Sequence, residues 1–143
     1  MIVEEEIKHK VTELFSSRKK TMADALGLTY LVITKNELQA KMPVYENTIQ
    51  PFGILHGGAS VALAETLASI GAYLNLTNDS KVAVGLEINA NHIKPVRYGS
   101  YVIGTAKPIH RGAQTQVWET RIESENQKLV SISRCTLAII DKK

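Results

Sequence analysis

The sequence predicts an α+β domain in which one curved antiparallel sheet wraps around a single long helix. Three observations carry this. The run HGGASVALAETLASIGAYLNL, from His56 to Leu76, is an unbroken stretch of helix formers rich in small residues. Beyond Asn78-Asp79 the chain reads as strands alone, with turn residues between them. Finally, the element order is helix, two strands, long helix, four strands. A sheet with one apolar face needs a cover, and only the long helix is large enough to supply it.

Taken in order, apolar residues at 3, 7, 11, 14 and 15 have helical spacing and predict a helix over 3–16. A short second helix is expected over 22–26, ended by Gly27. Residues 1–26 thus form a helical segment within one domain spanning 1–143. Residues 28–33 and 37–42 read as two strands joined by a Lys35-Asn36 turn, and 44–55 as a loop punctuated by Pro51 and Gly53. The small residues Ala59, Ala62, Ala64, Ala68, Gly71 and Ala72 mark the long helix as central and buried. Alternation from Val82 to Asn91 predicts a strand that ends before Pro95. Three more are expected over 101–107, 114–123 and 129–140, with turns at Arg111-Gly112 and Glu125-Asn126. Short connections favour an antiparallel meander for the last four.

Composition narrows the function. Hydrophobic residues are 44% and charged residues 22% of 143, the mix of an ordinary globular chain. One cysteine, Cys135, excludes an internal disulfide and a cysteine-based metal cluster. The N-terminus carries three consecutive acids and no apolar run, so no signal peptide is expected, and the most apolar stretch is too interrupted to span a membrane. Reduced cytoplasm is the default compartment. A net charge of +3 suits a polyanionic small ligand such as a nucleotide. It is too mild for nucleic acid, and the one basic cluster, Arg18-Lys19-Lys20, reads as a solvated helix end.

The chemistry concentrates in QPFGILHGG, from Gln50 to Gly58, and in Glu65 and Ser69. Gly57 and Gly58 at a helix start leave N–H groups unshielded, with the helix dipole adding partial positive charge. That suits an oxygen that becomes negative during attack on a carbonyl. Equally, two glycines permit a tight loop-to-helix junction. Glu65 is flanked by Val61, Ala62, Leu63, Ala64 and Leu67. A carboxylate in such surroundings is costly unless paired or useful, and its pKa should rise if water is scarce. Ser69 lies one turn on, within hydrogen-bond reach or bonded to its own backbone. Eight residues separate Gly57 from Glu65. They therefore lie about 12 Å apart along the axis. Both can touch one such carbonyl group only if they come from different subunits, as two antiparallel helices across a two-fold axis would allow.

His56 reads as a structural donor rather than a base. His92 falls on the register of Val82 and Leu86 unless a bulge intervenes, as a half-buried histidine or as a ligand contact. His9 is expected in solvent. No metal motif, Walker A or GxGxxG glycine pattern, or GxSxG occurs, so no metal, cofactor or serine nucleophile is expected.

The stretches QPFGILHGGASVALAET, VGLEINANHIKPV and KPIHRGAQTQVWE, in this order, resemble the bacterial hotdog thioesterases. The closest type hydrolyses 1,4-dihydroxy-2-naphthoyl-CoA, 4-hydroxybenzoyl-CoA and related thioesters, a group that includes phenylacetate-type enzymes. The likeness runs from about Gly27 to the C-terminus. It implies a hotdog fold and hydrolysis of an acyl-CoA, with CoA part of the substrate and no separate cofactor. It implies Glu65 as the carboxylate, Gln50 placing the thioester, His56 and Gly57 at the helix start with the Gly57 N–H on the thioester oxygen, and Ser69 as the supporting hydroxyl. Gly58 and Ile70 would contact substrate, Ile70 in the acyl pocket. The nucleotide would lie near His92 and the His110-Arg111-Gly112 turn. Homodimers with shared sites, paired into tetramers, are usual in the family. Two rivals remain: a hotdog dehydratase, whose His-Phe-Pro-Gly type loop is missing here, and an acyl-CoA sensor without catalysis.

Overall fold

A computed structural model describes residues 1–16 and 19–143. The elements are β1 (Ile2–Val3), α1 (Lys8–Phe15, preceded by a 3-10 turn over Glu5–Ile7), α2 (Met22–Ala25), β2 (Thr29–Ile33), β3 (Leu38–Pro43), α3 (Gly57–Leu74), β4 (Lys81–His92), β5 (Tyr101–Arg111), β6 (Thr115–Ser124) and β7 (Leu129–Asp141). They form one seven-stranded sheet in the order β1-β2-β3-β5-β6-β7-β4, curved around α3. Every neighbouring pair is antiparallel except β1 with β2. The α+β architecture with a central helix is the one expected.

The N-terminal helix begins later than its spacing suggests. Val3 pairs with Ile33 as a strand, and only Ile7 and Val11 of the periodic set are buried. A two-residue parallel strand is too short to carry a period, so the residues ahead of the helix read as part of it. Arg18 of the basic cluster lies outside the described residues; Lys20 is exposed.

The four-strand meander is corrected. Only β5, β6 and β7 are sequential neighbours, and β4 crosses to the far edge to pair with β7. The connection after β4 does not turn back as a hairpin. It docks on the loop before α3, with the Leu55 N–H donating to the Val96 carbonyl at 2.8 Å and the Tyr98 N–H to the Gly53 carbonyl at 3.0 Å. Backbone groups satisfied there are withdrawn from a β4–β5 ladder. β5 also runs past residue 107, where the expected strand ends, through Pro108 to Arg111. A bulge follows Pro108 before pairing resumes at His110 and Val117.

Helix α3 faces the sheet with Ala59, Ser60, Leu63, Ala64, Leu67, Ala68, Gly71 and Ala72. These come in pairs one turn apart, the stripe expected of a helix lying on a sheet. The small residues let strands approach closely. The Trp118 ring stands where a Cβ on Gly71 would be, 2.5 Å from it. Its indole N–H donates to Gln116 at 3.0 Å, and Gln116 reaches the Ala72 carbonyl at 3.4 Å. The opposite face of α3, with Gly58, Val61, Ala62, Glu65 and Ser69, has no cover in the single chain.

Candidate active site

The start of α3 is an extended residue capping a helix. His56 (ψ 131°) breaks from the loop, and its Nδ1 accepts the Gly58 N–H at 2.8 Å. That bond places the proton of a neutral ring on Nε2. The His56 carbonyl accepts from Ala59 at 3.0 Å and from Ser60 at 3.3 Å. Its own N–H donates to the Thr48 carbonyl at 2.8 Å, which anchors the cap to the preceding loop. Among the first four helix amides this leaves one, that of Gly57, without an acceptor among the described residues. His56 is expected as a structural donor; here its ring nitrogen accepts instead, at the helix cap. It is a cap that satisfies one amide and keeps another available.

A pocket of about 320 Å³ opens in front of that amide, lined by Gln50, Leu55, Gly57, Ser60, His92 and Lys94 among others. His92 reaches it because a bulge between Gly85 and Glu87 changes the register of β4. Ala83 packs on the core before the bulge and Ile88 after it, while Leu86 is 63% exposed. His92 therefore shares the face of Ile88 rather than that of Leu86. Its Nε2 lies 2.8 Å from where a Gly57 Cβ would sit, so only glycine admits the ring there. The Gln50 side-chain oxygen accepts the Phe52 N–H at 2.6 Å. Its amide NH₂ has no partner among the described residues.

Glu65 lies elsewhere. It sits mid-helix on the uncovered face, exposed to solvent in the single chain. This corrects the water-poor setting read from its neighbours. Leu63, Ala64 and Leu67 flank it in sequence but point toward the sheet, because successive residues on a helix diverge by about 100°. Its Oε1 hangs over β4, 2.9 Å from the position a Gly85 Cβ would take. Glu65, Gly58, Ser69 and Ile70 line an open depression of about 530 Å³ with Met22, Val61, Ala62 and Thr66. No hydrogen bond joins Ser69 to Glu65 among the described residues. The half with Gln50, His56, Gly57 and His92 and the half with Glu65, Ser69 and Ile70 are separate surfaces of one chain, as the length of α3 requires.

The turn expected to meet the nucleotide is remote from both. Arg111 Nη1 donates to Asn75 Oδ1 at 2.9 Å and to the Lys35 carbonyl at 3.2 Å, at the C-terminal end of α3. His110 and Gly112 lie beside it, with His110 Nε2 2.5 Å from a Cβ built on Gly112. Within one chain His92 and Arg111 therefore stand at opposite ends of the central helix. An exposed arginine reads as a ligand contact in sequence, and its tie to Asn75 spans too many residues to be seen there.

Four residues escaped the sequence reading. Ser60 and Lys94 line the pocket of Gly57, Gly85 makes room for the Glu65 carboxylate, and Asn75 holds Arg111. Only Gly85 carried a signal, since a glycine inside a strand marks a bulge or a close approach. The Cys135 thiol, on β7 opposite Ile88, is pushed up to about 11 by burial first and then by the charges of Glu65 and Glu87. It is protonated at neutral pH and no nucleophile. Among the described residues no group of three or more His, Cys, Asp or Glu side chains is placed to hold a metal ion.

An unpaired amide at a helix start, a glutamine and a histidine around it, and a carboxylate on a neighbouring surface are the parts of an acyl-transfer site. Comparison with known proteins bears on the family. The model of the thioesterase superfamily matches residues 52–131. The ComA2 protein of Bacillus subtilis, named only to the level of an esterase, is 50% identical over 124 residues, 87% of this chain and 98% of that one. The 1,4-dihydroxy-2-naphthoyl-CoA hydrolase of Escherichia coli is 44% identical over 135 residues, 93% of this chain and 98% of its own. A crystal structure of a Haemophilus influenzae thioesterase superposes with a TM-score of 0.82 at 43% identity, covering 93% of this chain and 90% of that one. With the sheet wrapped around its central helix and these matches across most of its length, the chain belongs to the thioesterase superfamily and is a hotdog-fold thioester hydrolase.

Proposed function

We propose that this hydrolase cleaves an acyl-CoA to the free acid and CoA at a site shared between two subunits. The observation that carries the reading is the single unpaired amide of Gly57, left open by the His56 cap and faced by Gln50 and His92. The thioester carbonyl oxygen points at that N–H, which stabilises the charge developing on it. Gln50 donates its amide NH₂ to the thioester and His92 walls the pocket. Lys94, on its rim, favours an anionic ligand. Glu65 comes from the partner subunit, with Ser69 beside it.

Two routes fit. In the first, the Glu65 carboxylate attacks the carbonyl carbon, the C–S bond breaks, CoA leaves as thiolate and takes a proton, and water cleaves the resulting mixed anhydride. In the second, Glu65 takes a proton from the water that attacks. One turnover in ¹⁸O-water separates them. Anhydride cleavage at the Glu65 carbonyl labels the protein, and general-base attack labels the released acid.

The shared site rests on geometry. Gly57 and Glu65 open on different surfaces, Val61 and Ala62 beside Glu65 are only half-buried, and β4 ends the sheet with Val84 and Leu86 exposed. A second copy packed with its helix antiparallel covers the first set and joins Glu65 to the partner's amide. Pairing of such dimers into a tetramer gives the exposed strand face a partner.

Free thiol release from a panel of CoA thioesters tests the activity, with Glu65→Ala as control. Release from none of them would turn the reading toward an acyl-CoA sensor. Mixing subunits tests the shared site. Glu65→Ala and Gly57→Val proteins, each inactive alone, should regain activity on subunit exchange, because a mixed dimer holds one intact pair. Failure of exchanged subunits to regain activity would place both groups in one subunit's site.

A further inference from the structure

We infer that the acyl group passes Glu65 and runs on into a groove between α3, the N-terminal helices and β2, so that Met22 and Tyr30 select its length. The inference rests on the proposal above that Glu65 marks the scissile bond. The depression holding Glu65 is continuous with a second hollow of about 560 Å³, since Met22, Thr66 and Ile70 line both. Beyond them the second hollow is walled by Phe15, Leu28 and Tyr30, with Lys19, Lys20 and Asp24 also lining it.

The aromatic and aliphatic part of this lining offers an apolar chain a surface apart from the charged residues. Phe15 and Tyr30 meet edge to face with centroids 4.9 Å apart, forming an aromatic wall. Thr66 Oγ donates back to the Ala62 carbonyl at 2.7 Å, which removes a polar atom from the passage. Burial raises the pKa of the Tyr30 phenol, with the Asp24 charge adding to it, so this wall stays neutral. Ile70 lies five residues beyond Glu65 on the same helix. That is about 7.5 Å along the axis, so a medium-length acyl group reaches past Ile70 and a short one does not. Met22 is 65% exposed where the two hollows meet. A flexible thioether there closes over a chain of variable shape.

The ratio of kcat/KM for octanoyl-CoA to that for butanoyl-CoA tests this by thiol release. Met22→Trp should lower the ratio roughly tenfold or more, since it excludes several methylenes from an apolar pocket. Met22→Ala should shift preference toward decanoyl-CoA. Thermal melts of both variants establish that they fold. An unchanged ratio in both would overturn the inference. Binding gives a second reading that needs no turnover. In a Glu65→Gln background, Met22→Trp should weaken octanoyl-CoA more than butanoyl-CoA by calorimetry, and equal loss for both would also overturn it. If Glu65→Gln keeps full activity while the length ratio still responds to Met22, the role of Glu65 fails and the groove stands.

Discussion

The two ends of α3 are built in opposite ways. At the C-terminal end side chains close the helix. Asn75 donates to the Gly71 and Lys35 carbonyls, both at 2.9 Å, Arg111 donates to Asn75 Oδ1, and Lys10 Nζ donates to the Leu76 carbonyl at 2.6 Å. Two cations thus sit where the helix dipole is negative. At the N-terminal end the cap stops one bond short. His56 takes the Gly58 amide and leaves that of Gly57 facing a pocket. One terminus locks the helix to β5 and the β2–β3 turn; the other keeps a donor in reserve. An orphan donor is tolerable only where a ligand or water can reach it, so the difference separates support from chemistry.

Substitutions can break or sharpen this contrast. The largest effect is expected at Glu65. Glu65→Gln should lower kcat by ~10²-fold or more. Among the described residues Glu65 makes no hydrogen bond, so stability should stay within about 0.5 kcal/mol by chemical denaturation. A matching loss of stability would make Glu65 a structural residue. Arg111→Ala removes two hydrogen bonds and a cation from the locked end. We expect a loss of about 1–2 kcal/mol, reduced from the buried-site range because Arg111 is exposed. Its effect on substrate is separable, because a nucleotide contact would weaken CoA esters more than short acyl-pantetheine esters. Equal losses on both would leave Arg111 purely a lock.

His56→Ala removes the N-cap and should cost about 1 kcal/mol of stability. Activity should fall by more than stability predicts, since the Gly58 amide then competes with that of Gly57 for the same oxygen. Wild-type kinetics in this variant would sever the cap from the site. The smallest effect belongs to Cys135. With its thiol pushed up to about 11, the thiolate is scarce at neutral pH and rises only as pH approaches that value. Iodoacetamide at neutral pH should leave the native protein unmodified by mass spectrometry, with activity intact.

The pattern of legibility follows the range of the forces involved. Helix α3 was readable because a run of small and apolar helix formers from His56 onward has no competing period. The cap and glycine pair were readable because their chemistry is local to a few residues. The register of His92 was not, because a bulge near Gly85 depends on pairing with β7, which no local pattern reports. The edge position of β4 was misread for a related reason. In the stretch 93–100, Val96 and Tyr98 bond to Leu55 and Gly53 of the loop before α3, a contact made across α3 in sequence.

By itself the sequence determined the central helix, the strand content, the polar and small residues at the helix start, and the distance between Gly57 and Glu65, since all of these follow from covalent order and helix rise. Only the tertiary structure decided which face of α3 stays uncovered, that Glu65 lies on it, that β4 closes the sheet, and that Arg111 belongs to the far end. Those depend on groups distant in the chain competing for the same hydrogen bonds and apolar surface, and that competition is settled in three dimensions.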